Sequence, residues 1–188
     1  IEFDTFFNSG VKGPASTSLL NVLGEFCNEV DFLMVEGDPD KLIYPVANTL
    51  APITWLKSDT AQVLATFAEL DGSPAQFDCR NILINALQPL SDMGLNPVVA
   101  TELEFYLVEA GEDGLPKPKL SKVPGTNIDQ TGTQYAMPED LWDQDAFLED
   151  VRRTCEAQNV PMTTVHSEFS PGQFEINLHH VGDPVAAC

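Results

Sequence analysis

Basic residues are scarce in this sequence. Its 188 residues include 9 Lys and Arg against 29 Asp and Glu, which gives a formal net charge of −20. A chain with so little positive charge lacks the side chains that grip the phosphates of a nucleic acid or an anionic membrane surface. We therefore expect neither nucleic acid nor membrane as a partner, and we attribute the acidity to a solvated surface that keeps the protein dispersed.

Long apolar runs and paired cysteines are also missing. No apolar run approaches the ~20 residues of a membrane-spanning helix. The four cysteines, Cys27, Cys79, Cys155 and Cys188, are far apart with no CxxC pair, and no export segment is recognisable before them. This usage fits a reducing cytoplasm. The phosphate-loop spacing GxxxxGK[ST] is absent, so a P-loop nucleotide site is not expected.

The first 75 residues are predicted to be mostly β-structure. Apolar residues at helical spacing predict a helix over Ser16–Asn28, although Gly24 interrupts the pattern. The segments LIYPVA and AQVLATFAEL are typical of strands, and a turn is expected at Asp71–Pro74. We place a domain boundary near residue 75.

The remaining residues mix helices with strands. An apolar stripe from Ile82 to Leu90 predicts a helix that closes before Gly94. A second helix is predicted over Gln144–Gln158, because apolar residues recur there every fourth position. Helices beside an antiparallel sheet make the fold class α+β.

Two glutamates lie two residues apart in a predicted strand. In NPVVATELEFYLVEAGEDG, apolar residues alternate with Glu102, Glu104 and Tyr106, and a turn is expected at Gly111–Gly114. Since side chains two residues apart point to the same face of a strand, both carboxylates could hold one cation or two adjacent ones.

A second acidic pair flanks a predicted hairpin in SEFSPGQFEINL. If Pro171-Gly172 is the tip, Glu168 lies directly opposite Glu175 and Phe169 opposite Phe174. One face is then apolar, and the other carries His166, Glu168, Glu175 and Asn177. Like charges placed opposite each other repel unless a positive charge lies between them.

A divalent metal ion would supply that charge. Oxygen ligands favour Mg²⁺ or Mn²⁺ over zinc, and a pair of such ions suits phosphoryl transfer. We expect His166 to act as a hydrogen-bonding partner of these carboxylates rather than as a ligand. The alternative is that the alternating glutamates mark only the solvated face of a strand in an ordinary acidic domain.

TELEFY, followed about sixty residues later by HSEFSPGQFEINL, resembles the glutamine synthetase superfamily, and within it the γ-glutamyl-polyamine ligases. The resemblance implies a β-grasp-like N-terminal domain, residues 1–75, followed by the beginning of an antiparallel catalytic domain, residues 76–188. It also implies that Glu104, Glu168 and Glu175 hold one metal and that Glu102 contributes to a second. Glu168 would further accept a proton from the attacking amine, and Tyr135 would line the amine pocket.

The activity implied by the resemblance is an ATP-dependent ligation of glutamate to an amine through γ-glutamyl phosphate, in a homo-oligomeric ring. Ammonia-using members carry an aspartate where this chain has Tyr44–Leu50, a segment without a carboxylate. We therefore expect a polyamine or another larger amine. Ammonia-using glutamine synthetase and a non-catalytic metal-binding or interaction remnant remain as alternatives.

The chain has few arginines that could bind phosphate or a carboxylate substrate. The chain has Arg80, Arg152 and Arg153, none of them near the glutamate motifs. We expect the chain to be the front part of a longer enzyme, clipped at its start and truncated after the hairpin, and to be inactive by itself.

Overall fold

The computed structural model describes residues 3–27, 37–57 and 59–187. The chain forms two compact units, Ile1–Pro52 with Thr60–Asn96 and Ile53–Asp59 with Pro97–Cys188. Both contain helices and antiparallel sheets, which confirms the α+β class. The domain boundary near residue 75 stays a prediction, as does the β-grasp-like arrangement.

The first unit is built around a three-stranded antiparallel sheet, whose order is β1 (Val11–Pro14), β2 (Asp40–Pro45) and β5 (Ala65–Ala68). Within the described residues its helices are α1 (Phe3–Ser9), α2 (Cys79–Asp92) and two 3-10 helices, Ala15–Leu19 and Ala47–Thr49. Its strands are β1 (Val11–Pro14), β2 (Asp40–Pro45), β3 (Ala51–Pro52), β4 (Ala61–Gln62) and β5 (Ala65–Ala68). A small core joins Ala15 and Leu19 to Phe77.

The helix predicted over Ser16–Asn28 is wrong beyond its first turn. The 3-10 helix stops at Leu19, and Leu20 then forms an antiparallel bridge with Phe26. The side-chain oxygen of Asn21 accepts hydrogen bonds from the backbone N–H groups of Leu23 and Glu25, and Gly24 adopts φ +78°. Asn and Gly together favour this turn over a continued helix. Asn28 lies outside the described residues.

The other predicted elements of this unit are present. LIYP of LIYPVA lies in β2, and AQVLATFAEL supplies both β4 and β5. The turn at Asp71–Pro74 is present, with Gly72 N–H donating to the carbonyl of Glu69. The predicted helix is α2, which begins after the N-cap Asp78 and ends just before Gly94, whose φ is +72°.

The second unit contains the glutamate motifs. Its strands are β6 (Glu102–Tyr106), β7 (Val108–Ala110), β8 (Pro116–Pro118), β9 (Met162–Ser167) and β10 (Gln173–Leu178). Its helices are α3 (Pro138–Asp143), α4 (Asp145–Ala157) and α5 (Pro184–Ala187). Strands β6, β10 and β9 form an antiparallel sheet in that order, while β7 and β8 pair around the predicted Gly111–Gly114 turn.

The apolar face of the β6-β10-β9 sheet contributes to the core of this unit. Phe174 is completely buried, and the ring of Phe105 lies between those of Phe174 and Phe147 of α4, with centroids 6.2 and 6.1 Å away. Helix α4 lies within one residue at each end of the predicted helix Gln144–Gln158. Among the described residues, no helix combines the length and apolar character needed to cross a membrane.

Candidate metal site

The polar face of the β6-β10-β9 sheet gathers the predicted acidic residues. Glu175, on the central strand β10, lies opposite Glu104 on β6 and opposite His166 on β9. Two residues further along β10, Asn177 lies opposite Glu102. Because opposed residues in an antiparallel sheet share a face, these side chains all project to the same side.

The hairpin that carries Glu168 and Glu175 differs from the predicted one by a register shift of two residues. Glu175 pairs with His166 and not with Glu168, and Phe174 pairs with Ser167. The loop therefore holds four residues, Phe169–Gly172, closed by a 2.9 Å hydrogen bond from Glu168 N–H to the carbonyl of Gln173. A shift of two preserves the face of every side chain, so the predicted polar face is still formed.

His166, Glu168 and Glu175 form a compact group. Each offers a potential metal-ligating atom, and these atoms lie within 4.8 Å of one another. The imidazole lies between the two carboxylates: Nδ1 is 3.6 Å from Glu168 Oε1, and Nε2 is 3.7 Å from Glu175 Oε2. The Glu168 and Glu175 side chains are only 13% and 10% exposed.

Glu102 and Glu104 lie beside this group and are more exposed. Gln173 Nε2 donates to Glu104 Oε2 at 2.7 Å, and Asn177 Nδ2 donates to Glu102 Oε1 at 3.2 Å. The same Asn177 amide also donates to Glu175 Oε1. The side-chain amides of Gln173 and Asn177 thus donate hydrogen bonds to the carboxylates that lie next to them on this face.

The donor set fits a divalent cation. Two largely buried carboxylates and one imidazole converge, and the ion pairs that Lys and Arg form within the described residues go to other acids. Burying carboxylates is unfavourable without a positive partner. Oxygen with one imidazole nitrogen suits Mn²⁺ or Mg²⁺ better than a thiolate-seeking ion.

Tyr135 reaches the same face from the loop before α3. Its ring packs edge-on against His166, with centroids 5.8 Å apart, and tilts against Phe169 at 4.8 Å. Tyr135 is 50% exposed and Phe169 is 61% exposed, so the two rings present an apolar surface beside Glu168. The sequence alone did not identify Phe169 as a neighbour of Tyr135.

Two buried polar residues next to the group were missed by the sequence analysis. Ser167 is fully buried, and its hydroxyl donates to the carbonyl of Gln134 while accepting from Met137 N–H. Gln134 is also fully buried. A serine on the otherwise apolar face of a strand was the available signal for the first; no sequence pattern distinguishes Gln134 within its loop.

Comparison with known proteins gives a family match over this part of the chain. Residues 76–188 match the model of the glutamine synthetase catalytic domain. Gamma-glutamylputrescine synthetase PuuA of Escherichia coli is 34% identical over 95% of this chain and 38% of its own length. Glutamate–isopropylamine ligase of a Pseudomonas species is 28% identical over 77% of this chain and 30% of its own length.

Solved structures of the same fold are also found. The structure described as apo GmaS without ligand has a TM-score of 0.74 at 16% identity, covering 98% of this chain and 38% of that one. Plasmodium falciparum glutamine synthetase has a TM-score of 0.63 at 16% identity, covering 96% and 37%. The chain thus spans less than two-fifths of the length of these proteins.

Proposed function

The chain belongs to the glutamine synthetase family, and from that premise we propose that it carries the metal-holding sheet of an ATP-dependent ligase that joins glutamate to an amine. The observation that supports this most directly is the convergence of His166, Glu168 and Glu175 on one face of the β6-β10-β9 sheet. The remaining machinery of such a ligase belongs to the larger part of the relatives' length that this chain does not span.

We propose that Glu168 and Glu175 ligate one divalent ion, Mg²⁺ or Mn²⁺, together with Glu104, which lies opposite Glu175. His166 either orients these carboxylates or becomes a ligand itself, since its two nitrogens face both of them. Glu102 contributes to a second ion. The bound ions would neutralise negative charge that develops on transferring phosphate.

The proposed reaction has two steps. The γ-carboxylate of glutamate attacks the γ-phosphorus of ATP, ADP leaves, and γ-glutamyl phosphate forms. The amine nitrogen then attacks the acyl carbon, the carbon–oxygen bond to phosphate breaks, and inorganic phosphate leaves with the γ-glutamyl amide as product. The nitrogen must lose a proton, and we propose that Glu168 accepts it at the carboxylate oxygen that does not bind the metal.

We propose that the amine is larger than ammonia. The segment Tyr44–Leu50, which forms the end of β2 and a 3-10 helix, carries no carboxylate to bind ammonium. The names of the two relatives described above include putrescine and isopropylamine. The exposed rings of Tyr135 and Phe169 offer apolar surface for a hydrocarbon chain. By family resemblance the full-length ligase assembles as a homo-oligomeric ring.

Binding of Mn²⁺ to this chain tests the proposed metal site. We expect the wild-type chain to bind Mn²⁺ without ATP, measured from the electron paramagnetic resonance signal of free Mn²⁺. Glu175→Gln should weaken this binding by at least about tenfold, because an amide replaces a charged ligand that is nearly buried.

Glu112→Gln is the matched control, because Glu112 is exposed in the β7-β8 turn and the substitution removes one charge as well. Its Mn²⁺ affinity should equal that of the wild type. If both variants bind Mn²⁺ as tightly as the wild type does, the acidic face is only a solvated surface and the proposed site is wrong.

A further inference from the structure

Gln134 connects the loop before α3 to the loop of the glutamate hairpin. Its side chain is fully buried and makes one hydrogen bond to that loop and one to the first residue of β10. Nε2 donates to the carbonyl of Gln173 at 2.7 Å, and Oε1 accepts from Gly172 N–H at 3.1 Å. The backbone adds a hydrogen bond of 3.3 Å from Gln134 N–H to the carbonyl of Phe169.

The carbonyl of Gln173 links Gln134 to Glu168. That oxygen accepts from Gln134 Nε2 and also from the backbone N–H of Glu168, at 2.7 and 2.9 Å. This carbonyl therefore ties the main chain of Glu168 to the side chain of Gln134, while Phe169 N–H donates to Glu168 Oε2 at 3.1 Å.

We infer that Gln134 is a positioning residue for Glu168, holding the hairpin loop so that this carboxylate meets Glu175 and His166 in a metal-binding arrangement. The inference rests on the proposed function, since it assumes that the three side chains bind a metal. Gln134 itself is too engaged with the backbone to serve as a ligand.

An amide is the neutral group that matches both partners at this position. Gly172 presents an N–H donor and Gln173 presents a carbonyl acceptor, so the side chain must offer one acceptor and one donor at fixed places. Methionine has nearly the same shape but offers neither. An ionised glutamate offers an oxygen to Gly172 but places a second oxygen against the Gln173 carbonyl.

The loop has a second support, so a variant at Gln134 should still fold. On the opposite side, Leu107 N–H donates to the carbonyl of Gly172 at 2.9 Å. Strand pairing of β10 with β6 and β9 is also independent of the Gln134 side chain. Loss of the amide should therefore loosen the loop without dissolving the sheet.

The experiment compares Gln134→Met with the wild-type chain by native-state hydrogen exchange and by Mn²⁺ binding. Protection of the Gly172 and Glu168 amides should fall about tenfold in the variant, since each depends on the amide of Gln134 or on the carbonyl it holds. Mn²⁺ affinity should fall about tenfold, the size of effect seen when a residue that orients a metal ligand is lost.

Gln134→Glu provides a conservative rescue. A protonated glutamate can donate to the Gln173 carbonyl and accept from Gly172 N–H, as glutamine does, whereas the ionised form cannot. The Gly172 protection factor in this variant should approach the wild-type value at acidic pH and fall as the pH rises. Gln88→Met, at an exposed position of α2, is the control and should change neither readout.

The results separate the inference from the proposed function. If the wild type binds Mn²⁺ and Gln134→Met binds it equally well, Gln134 has only a structural role and the inference is wrong, even if the variant melts at a lower temperature. Unchanged Gly172 protection in Gln134→Met would also overturn it. If the wild type binds no Mn²⁺, the proposed site fails, and the positioning role falls with it because no metal ligand is being positioned.

Discussion

Gly172 shows how closely a single residue constrains the hairpin loop. Its φ is +78°, a conformation that side chains other than glycine rarely adopt. A Cβ atom there would lie 3.1 Å from the carbonyl oxygen of Lys119 and 3.1 Å from Pro118 Cβ. The loop thus fits against the strand β8 region without space for a methyl group.

Gly172→Ala should therefore lower the free energy of unfolding by roughly 1–3 kcal/mol, from backbone strain together with the close contact. Urea denaturation measures the loss. Gly114→Ala is the matched control, because Gly114 has the same φ of +78° with nothing within 4 Å of the added Cβ. The contact contributes nothing if the two variants are destabilised equally.

Asp140 is a residue whose burial makes stability depend on pH. It is 2% exposed in α3, and its Oδ2 has no hydrogen-bond partner among the described residues. Burial raises the pKa of this carboxyl above 3.8, and the negative charges of Asp143 and Glu139 raise it further. The Ser121 hydroxyl lowers the pKa in part, because it stabilises the charged carboxylate. The folded state therefore holds this proton more tightly than the unfolded state does.

Asp140→Asn should stabilise the chain at neutral pH by roughly 1 kcal/mol, since it removes a buried charge that lacks a full set of partners. The contribution of Asp140 to stability is complete below the unfolded pKa of about 3.8 and is lost as pH rises through the raised folded value. Urea denaturation across acidic to neutral pH should show the advantage of the variant growing in that window.

Asp145→Asn serves as the control, because Asp145 is exposed in α4, and this variant should not be more stable than the wild type at neutral pH. An Asp140→Asn variant whose stability relative to the wild type did not change with pH would contradict the assignment of a raised pKa to this residue.

At the level of elements, helix α2 and strand β5 share one carboxylate. Asp78 Oδ1 accepts from the N–H groups of Arg80 and Asn81 at 2.8 and 3.2 Å, while Oδ2 accepts from Phe67 N–H of β5 at 2.7 Å. The N-cap of the helix is therefore also a tie to the sheet. Asp78 is 8% exposed, so water cannot readily replace these bonds.

Asp78→Asn should lower the free energy of unfolding by about 1 kcal/mol. The asparagine oxygen can still cap α2, but the NH₂ group faces the Phe67 N–H and cannot accept its hydrogen bond. Asp78→Ala should cost about 2 kcal/mol or more, since both functions are lost. Thermal or urea unfolding followed by circular dichroism gives the order. Asp92→Ala, at the exposed far end of α2, is the control, and its free energy of unfolding should stay within about 0.5 kcal/mol of the wild-type value. If the two Asp78 variants lose the same free energy of unfolding, the hydrogen bond to β5 contributes nothing to stability.

Elements whose pattern repeats over several turns or residues could be predicted from the sequence. The four-residue spacing of Phe147, Val151 and Cys155 predicts α4, and strict alternation predicts the faces of β6 and β10. These patterns report which side of an element is buried, which is a local property. Burial of Cys155 raises the pKa of its thiol, in agreement with its place on the inner side of α4.

Features that a side-chain hydrogen bond decides could not be predicted. Pro171-Gly172 suggested a two-residue turn, but the loop is four residues long because Glu168 N–H and Gln134 Nε2 meet at the Gln173 carbonyl. The helix expected after Leu19 fails because the side chain of Asn21 captures two backbone N–H groups. In both places a side-chain hydrogen bond decides between conformations that the apolar pattern does not distinguish.

At the scale of the whole chain, net charge does not identify the amine of the proposed reaction. The chain carries a net charge of −20, which we attribute to a solvated surface, and a field of that sign attracts any cation. Charge alone does not separate ammonium from a larger amine, since both are cations. The distinction must come from contact between a hydrocarbon chain and apolar surface, such as the exposed rings of Tyr135 and Phe169.

From the proposed function we expect the full-length ligase to prefer an alkylamine to ammonia. In assays of phosphate release at saturating ATP and glutamate, kcat/KM for putrescine or isopropylamine should exceed that for ammonium by at least about tenfold, because each buried methylene contributes about 0.8 kcal/mol. Replacement of Tyr135 by alanine should lower kcat/KM for the alkylamine and leave that for ammonium nearly unchanged. If the wild type instead has its highest kcat/KM for ammonium, the alkylamine proposal is wrong and the protein makes glutamine. That result would also show that ammonium binding does not require a carboxylate in Tyr44–Leu50.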